Sequence, residues 1–519
     1  MSAPRTLALA AIGGVLLALS LPPWPGSTGT WVVGVAGAAA LFAAVDGRRV
    51  RTRLGAGMVA GLGLYVPGLW WMRDFSLPGF VAAVVLEAAI LAGAMAVMPG
   101  PRAIRAGPGL RLAAFPAALV LAEAVRGAWP FGGLPLAGIE LGQVAGPLGP
   151  AARLGGRLLV VGLVSGAGAA VVTAARRRRR GLVPAVVGVA VVVVTAVGGA
   201  VAPAGRFNGE LTVAAVQGGG LRGLRAVESD PTPVFDAHLQ ASAMVGAGAD
   251  VVLWPEDVVD VAGTFAGSSE EQVLSALAAG LNATLIVGIV EDVGDDRFRN
   301  ASVVFAPDGR IVDRYDKVHR VPFGEYIPAR SFFDRLADLS AVPRDAIAGQ
   351  GPGVVDTPSG RFGVLISYEV FFADRSRAAV RAGGRLLLVP TNASSYRDAQ
   401  VPAQQLAVAR LRALETARWV LQAAPTGYSA IIDHQGRVVA RSDLGLPAVL
   451  RGDVQLRTGR TVFVSLGPAP LLVVAAALLL AAQFPHPNRR RPGEGLRRAR
   501  WPGRGRPLRG RAPGPGPSP

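Results

Sequence analysis

Residues 176–217 read RRRRRGLVPAVVGVAVVVVTAVGGAV, then APAGRFNGE, then LTVAAVQ. Leu182–Val201 is an uncharged run of 20 residues, enough as a helix to cross a hydrocarbon core about 30 Å thick. Five arginines, Arg176 to Arg180, stand before it. After it comes Leu211–Gln217, a short apolar run suited to a buried strand. The passage therefore divides the chain into a membrane helix with a cationic end and the first strand of something globular.

Toward the N-terminus the same kind of stretch recurs, at Leu7–Leu21, Trp31–Ala44, Leu54–Trp71, Val81–Met98, Leu112–Val125 and Leu158–Val172. Far downstream Val464–Ala482 adds an eighth. The first resembles a signal peptide, but no small-residue cleavage site follows it, so it is expected to stay as a span. With 51% hydrophobic and 17% charged residues, and a mean hydropathy of +0.40, the composition is too apolar for a single soluble fold.

Short cytoplasmic loops collect Lys and Arg. An inside N-terminus places 13 arginines in the inner loops of the first seven spans (Arg5, Arg48, Arg49, Arg51, Arg53, Arg102, Arg105, Arg111 and Arg176 to Arg180) and four outside, Arg73, Arg126, Arg153 and Arg157. Seven crossings then put everything after about Val201 on the outer face, and the eighth returns the tail inside. The expected domains are a seven-span membrane domain over 1–205, an extracytoplasmic α/β domain over 206–460, the eighth span over 461–485, and an Arg/Pro/Gly-rich cytoplasmic tail over 486–519 too polar to fold. The expected place is a membrane, crossed several times.

The net charge of +18 would otherwise suggest nucleic acid. It is uneven: +12 over residues 1–205, −3 over 206–460 and +9 over 461–519. The excess faces the anionic lipid of the inner leaflet, and no nucleic-acid partner is expected. The chain has no cysteine, which excludes disulfides, thiolate metal sites and a cysteine nucleophile. Its four histidines, His238, His319, His434 and His486, lack ligand spacing, so neither metal nor cofactor is expected.

Between about Arg206 and Arg460 short apolar runs alternate with helical patterns, the mark of a layered α/β fold. Strands are predicted at Leu211–Gln217, Val251–Glu256, Leu285–Val290, Ser302–Ala306, Phe362–Glu369, Leu386–Thr391 and Val420–Ala424. Helices are predicted at Phe235–Val245, Glu270–Ala279 and Gln404–Arg418, with a hairpin turn at Pro307-Asp308-Gly309.

Three segments place polar residues just after a strand, where α/β sheets build their sites. The first, Leu253-Trp254-Pro255-Glu256, offers Glu256, which taken alone is equally a solvated carboxylate at a loop start. The second runs from Tyr315 to Tyr326 and holds Lys317, the one lysine against 52 arginines. Where arginine serves every generic cation, a retained ammonium suits a compact point charge or a shared proton, though chance survival gives the same sequence. The third, Phe362 to Glu369, ends an apolar strand in Ser367, Tyr368 and Glu369. Together they suit acyl transfer, with a glutamate base, a lysine for the oxyanion and a hydroxyl nucleophile.

Trp254-Pro255-Glu256, Asp316-Lys317, Pro322-Phe323-Gly324-Glu325, Ile366-Ser367-Tyr368-Glu369, Pro390-Thr391-Asn392 and Ala409-Arg410-Leu411-Arg412-Ala413-Leu414-Glu415 resemble, in order, the motif series of apolipoprotein N-acyltransferase, a nitrilase-superfamily enzyme of bacterial membranes. Glu123, Arg126, Gly127 and the Gly133-Leu134-Pro135 turn resemble its membrane-domain motif. The resemblance implies a polytopic helical domain of about eight spans joined to an αββα nitrilase-like sandwich. It implies a Glu-Lys-Cys triad that takes a fatty acyl chain from a phospholipid and passes it to the N-terminal amine of a diacylated apolipoprotein, the last step of lipoprotein maturation. Glu256 and Lys317 match the base and lysine. Glu325, Glu369, Tyr368 and Asn392 match supporting positions, and Ser367 stands where the family has its cysteine. Two other readings remain open: a weak or inactive homologue serving as a membrane scaffold or lipoprotein-binding protein, and a membrane-tethered amidase with water as acceptor.

Overall fold

The computed structural model describes residues 2–24, 30–101, 108–176, 179–220, 230–335, 339–340, 342–394, 396 and 399–483, together with 514, 516 and 518. The tail expected to be disordered lies almost wholly outside the described residues.

Each of the eight apolar stretches is helical: α1 Ala3–Leu19, α2 Thr30–Val45, α3 Val50–Gly68, α4 Leu77–Ala96, α5 Pro108–Arg126, α6 Ala152–Ala175, α7 Arg179–Val201 and, at the end, α14 Ala469–Gln483. By length and composition alone, Leu77–Ala96, Gly149–Ala175 and Gly181–Val201 are long and apolar enough to cross a membrane, and Ala3–Leu19, Trp31–Val45 and Ala469–Gln483 are shorter apolar helices. Small residues let these helices cross closely, as in lipid. A Cβ on Gly14 would lie 2.0 Å from the Ala60 carbonyl oxygen, and one on Gly61 would lie 2.5 Å from the Ala88 Cα. Helix α6 is broken near its start at Gly155 and at Gly156, whose φ is +68°. The break frees the Arg157 N–H, which donates to the Glu415 carboxylate at 2.7 Å and so ties α6 to the globular region.

From Arg206 the periodicity changes to two and sheets begin. The first sheet runs β14-β1-β2-β4-β5-β6 and the second β13-β12-β11-β10-β9-β8. Their ranges are β1 206–217, β2 251–253, β4 284–293, β5 297–305, β6 311–316 and β14 448–458, and β8 354–357, β9 360–364, β10 387–390, β11 420–423, β12 430–432 and β13 438–441. Two short strands, β3 (259–261) and β7 (345–346), pair on β4 and β5. The central strands β1, β2 and β4 are parallel, as are β9, β10 and β11.

Alternation along β1 sends Val213 and Ala215 into a core with Val364, Ile366, Leu388 and Leu421 of the second sheet. The intervening Ala214 and Val216 pack with Val234, Ala241, Leu274 and Ala278 of α8 (Thr232–Ser242) and α9 (Ser269–Leu281). On the far face of the second sheet Leu387 and Val389 pack with Ala379 of α11 (Ala373–Arg381), Ala409 of α12 (Gln400–Thr416) and the apolar helices. The result is the αββα sandwich expected from the strand–helix alternation.

Two expected strands end early. Val251–Glu256 pairs only to Leu253, because Pro255 brings no N–H to the ladder. Phe362–Glu369 pairs only to Val364, and Ser367–Phe371 is a 3-10 turn. The strands β3, β7, β8, β12, β13 and β14 and helix α11 went unpredicted. In β14 the residues Leu450-Arg451-Gly452-Asp453 carry charge, as an edge strand does.

Candidate active site

Lys317 follows β6 directly and is 2% exposed. Its Nζ donates to Glu256 Oε1 at 2.7 Å and to Glu325 Oε1 at 2.8 Å. Burial favours the neutral amine, but the Glu256 and Glu325 carboxylates outweigh it and hold the ammonium well above the usual lysine range. Asn300, on β5, donates its Nδ2 to the same two oxygens, at 2.9 Å to Glu256 and 3.0 Å to Glu325. Two carboxylates that would repel each other are thus held on one ammonium and one amide. Glu325 Oε2 accepts the Val321 N–H at 2.7 Å. Glu256 Oε2 has no hydrogen bond among the described residues, which leaves it available to take a proton.

Ser367 begins the turn after β9 with φ +50°. For a residue with a Cβ this left-handed conformation costs on the order of 1–3 kcal/mol and persists only where surroundings enforce it. Glu369 enforces it. Its Oε2 accepts the Ile366 N–H at 2.9 Å, while its Oε1 accepts the Val318 N–H at 2.9 Å, the His319 N–H at 3.1 Å and the Tyr315 hydroxyl at 2.8 Å. This buried carboxylate pins the serine turn to the lysine loop. Arg375 balances its charge, with Nε 3.6 Å from Oε1. Tyr315 is held neutral by burial and then by Glu369, so its hydroxyl stays a donor.

The Ser367 hydroxyl itself is met by Thr391, at 3.3 Å between oxygens. Gln405 Nε2 in turn donates to Thr391 Oγ1. In this arrangement the threonine donates to the serine oxygen and leaves the serine proton free. Asn392 lies one residue on and shapes the loop, its Oδ1 accepting from Ser394 N at 2.9 Å and its Nδ2 donating to Asp257 at 3.4 Å. Tyr368 turns away from the lysine and donates its hydroxyl to the Gly133 carbonyl at 2.9 Å. Burial, then Tyr396, raise its pKa so that it stays a phenol, and burial, then Glu256, push Tyr396 up to about 12.

The structure therefore brings Glu256, Lys317 and Glu325 into direct contact and joins them to Ser367 through Glu369. It sets Tyr368 and Asn392 around that turn. Sequence reasoning gave no role to Asn300, Thr391 or Gln405. Thr391 lay within the Pro390-Thr391-Asn392 motif, and Asn300 is an amide directly before the mostly apolar stretch Ala301–Phe305. Over the site, Phe131 from the 127–137 loop meets Phe323 at 5.6 Å and Phe333 at 6.3 Å, and Phe323 meets Phe333 at 5.0 Å. Trp129, Phe131, Phe323 and Phe332 are all exposed. Through Gly133, whose carbonyl receives the Tyr368 hydroxyl, the 127–137 loop reaches the serine turn.

Residues 212–462 match the carbon-nitrogen hydrolase family and residues 13–170 the apolipoprotein N-acyltransferase N-terminal domain. An apolipoprotein N-acyltransferase of Mycolicibacterium smegmatis is 32% identical over 52% of this chain and 48% of its own length, so the chain spans about half of that relative. One of Vibrio vulnificus is 28% identical over 91% of this chain and 96% of its own length. Among solved structures, Saccharomyces cerevisiae Nit3, of the nitrilase superfamily, is 21% identical over 48% of this chain and 91% of its own, with a TM-score of 0.37. With both regions in order and one relative aligned nearly end to end, the chain is similar over most of its length to the apolipoprotein N-acyltransferases.

Proposed function

We propose that the protein moves a fatty acyl chain from a phospholipid to the N-terminal amine of an S-diacylglyceryl-cysteine lipoprotein, with Glu256, Lys317 and Ser367 as the catalytic residues. The observation that carries this reading is Lys317 buried between Glu256 and Glu325 beside a strained serine. Ser367 Oγ attacks the ester carbonyl as Glu256 takes its proton. The oxyanion lies by the Lys317 ammonium. The lysophospholipid alcohol leaves with that proton, and Ser367 holds the chain as an ester. The lipoprotein amine then attacks and loses a proton to Glu256, which passes it to the departing Ser367 oxygen as the amide forms. The exposed phenylalanines supply an apolar path, since each methylene kept from water is worth about 0.8 kcal/mol.

The reading includes a chain that crosses a bacterial cell membrane eight times, with spans 1–7 within 1–205, the catalytic domain over 206–460 outside, and span 8 over 461–485 returning the tail to the cytoplasm. Asp295 is exposed on the β4–β5 hairpin. A single Asp295→Cys in this cysteine-free chain should react with a membrane-impermeant maleimide from outside in intact cells, and labelling only after lysis would reverse the topology.

A second reading rests on one observation, the hydroxyl where the family has a thiol. A serine ester is a poorer acyl donor to an amine than a thioester, and the site would then serve binding alone. Mass spectrometry of a lipoprotein N-terminus separates the two. The third acyl chain should be present with the wild-type protein in a host lacking its own N-acyltransferase and absent with Ser367→Ala.

A further inference from the structure

Away from Ser367, a cavity of about 320 Å³ lies where α6, α7 and the 144–150 loop meet α12 and the β12–β13 turn. Three arginines line it, Arg153, Arg410 and Arg437, and its lining contains no carboxylate. Arg153 is 5% exposed and its Nε has no hydrogen-bond partner. Its other nitrogens make only long contacts, to the carbonyls of Gly199 (3.4 Å), Ala200 (3.3 Å) and His434 (3.4 Å). Arg410 donates Nε to the Gly436 carbonyl at 2.8 Å and, among the described residues, has no ion pair. Arg437 is paired with Asp433 at 2.9 Å, but that carboxylate also accepts the N–H groups of Gln435 and Arg437 and is spent within its own turn. His434, beside them, is held down to about 4 by burial and then by Arg457, with Arg153 and Arg437 adding to the positive field and Asp433 opposing it.

A guanidinium withdrawn from water with no ion pair among the described residues, as Arg153 is, is costly, and an oxyanion that accepts N–H bonds from it and from the neighbouring arginines relieves that cost. The source of such an anion is indicated by the helix beside the cavity. Val193, Val197 and Val201, four residues apart on one side of α7, are 52%, 55% and 76% exposed, and Ala200 of the same turn lines the cavity. An apolar rib thus leads to a cationic pocket at the end of the helix nearest the sandwich, where a spanning α7 would meet lipid phosphates. The pocket is separate from the catalytic site. Gln405 of α12 faces Thr391 and Ser367, and Arg410, five residues on, is turned by roughly 140° to the opposite side of that helix.

We infer that this cavity binds the phosphate of a phospholipid whose acyl chains lie along α7, a lipid distinct from the acyl donor. The inference rests on the reading that α6 and α7 span the membrane, which alkaline carbonate extraction tests by itself. Release of the protein without detergent would sink that reading whatever the pocket does.

The experiment uses the full chain, purified in detergent and stripped of lipid, with dioleoyl phosphatidylglycerol, dioleoylglycerol and inorganic phosphate as separate probes. Phosphatidylglycerol should raise Tm by several degrees and should survive as one bound molecule more in native mass spectra than Arg410→Gln/Arg437→Gln retains. Dioleoylglycerol, with the same chains and no phosphate, should give neither effect. Arg437→Gln alone, on an exposed turn that folding does not depend on, should weaken the phosphatidylglycerol response several-fold. Ser367→Ala should leave it intact. Equal responses to phosphatidylglycerol and dioleoylglycerol, or responses unaltered by the arginine substitutions, would overturn the site. If inorganic phosphate stabilises as much as phosphatidylglycerol at equal concentration, the pocket takes a soluble anion and the lipid assignment fails.

Discussion

Two buried ionic networks can be compared in this molecule, one in the sandwich and one among the helices. In the sandwich, Glu256, Lys317, Glu325 and Asn300 share two carboxylate oxygens. Among the helices, Glu87, Arg126, Glu123, Arg157 and Glu140 form a chain through α4, α5 and α6. Both alternate acid and base, and both are almost sealed from water. They differ in their cations and in what lies beside them. Arg126 engages every nitrogen of its fork, with Glu87, with Glu123 at 2.8 Å, and with the carbonyls of Leu134 (3.3 Å) and Leu136 (2.7 Å). Unspent acceptors occur in both, since Glu87 Oε1 and Glu140 Oε2 have no hydrogen bond among the described residues. What sets the lysine network apart is a cation that acts as a point charge and a strained serine close by. The arginine chain holds the 127–137 loop in place, and the Gly133 carbonyl of that loop receives Tyr368.

Removing the reactive side of this contrast has the largest expected effect. Ser367→Ala should lower N-acylation by at least on the order of 1,000-fold while Tm in detergent stays within a degree or two. Lys317→Arg keeps the charge but puts a fork where a point is needed, and a loss on the order of 100-fold in kcat is expected. An unimpaired Lys317→Arg enzyme would erase the distinction between the two networks.

The structural network should respond the other way. Arg126→Leu strands Glu87 and Glu123 in the interior, and a loss of roughly 3–5 kcal/mol in stability is expected, read as a fall in Tm or protease resistance. A variant of normal stability with an activity loss matching Lys317→Arg would mean that Arg126 belongs to the chemistry.

Thr391 sharpens the comparison within the site. If its hydroxyl steadies the serine oxygen, Thr391→Val should cost about tenfold in kcat with Ser367, in line with one lost hydrogen bond. The cost should be several times less in a Ser367→Cys background, because a thiolate needs little such help. Ser367→Cys itself should raise N-acylation. Equal costs in both backgrounds would reduce Thr391 to packing.

Lys317 sets a pH expectation. Its pKa is raised above the free-lysine value of about 10.4. The stability it contributes is therefore fully present below that value and is lost only as pH rises through the folded one. Between pH 6 and 9 neither Tm nor kcat should change through Lys317. A basic limb near pH 8 that vanishes in Lys317→Arg would contradict the raised value. The smallest effect belongs to the link between the networks. Tyr368→Phe removes one hydrogen bond to Gly133 and should lower kcat about five- to tenfold with little change in KM.

Much of this was legible in the residues. The eight helices and the layered sandwich follow from apolar runs and a change of period, signals carried by adjacent residues. Lys317 was conspicuous as the only lysine, and Glu256 and Ser367 as polar residues ending apolar strands. Asn300, Thr391 and Gln405 gave little sign, because one amide or hydroxyl in a strand or helix is ordinary until its neighbours are known.

The sequence by itself determined the apolar helices, the central strands, their order and the uneven charge, because burial periodicity and helix length depend on neighbours along the chain. Only the tertiary structure decided that the ends of β2, β6 and β9 converge. It alone set Asn300 against the carboxylates of Glu256 and Glu325, held Ser367 at φ +50° through Glu369, and gathered Arg153, Arg410 and Arg437 around one cavity. Those contacts join residues tens to hundreds of positions apart, and their energies depend on distance and burial, which no local pattern encodes.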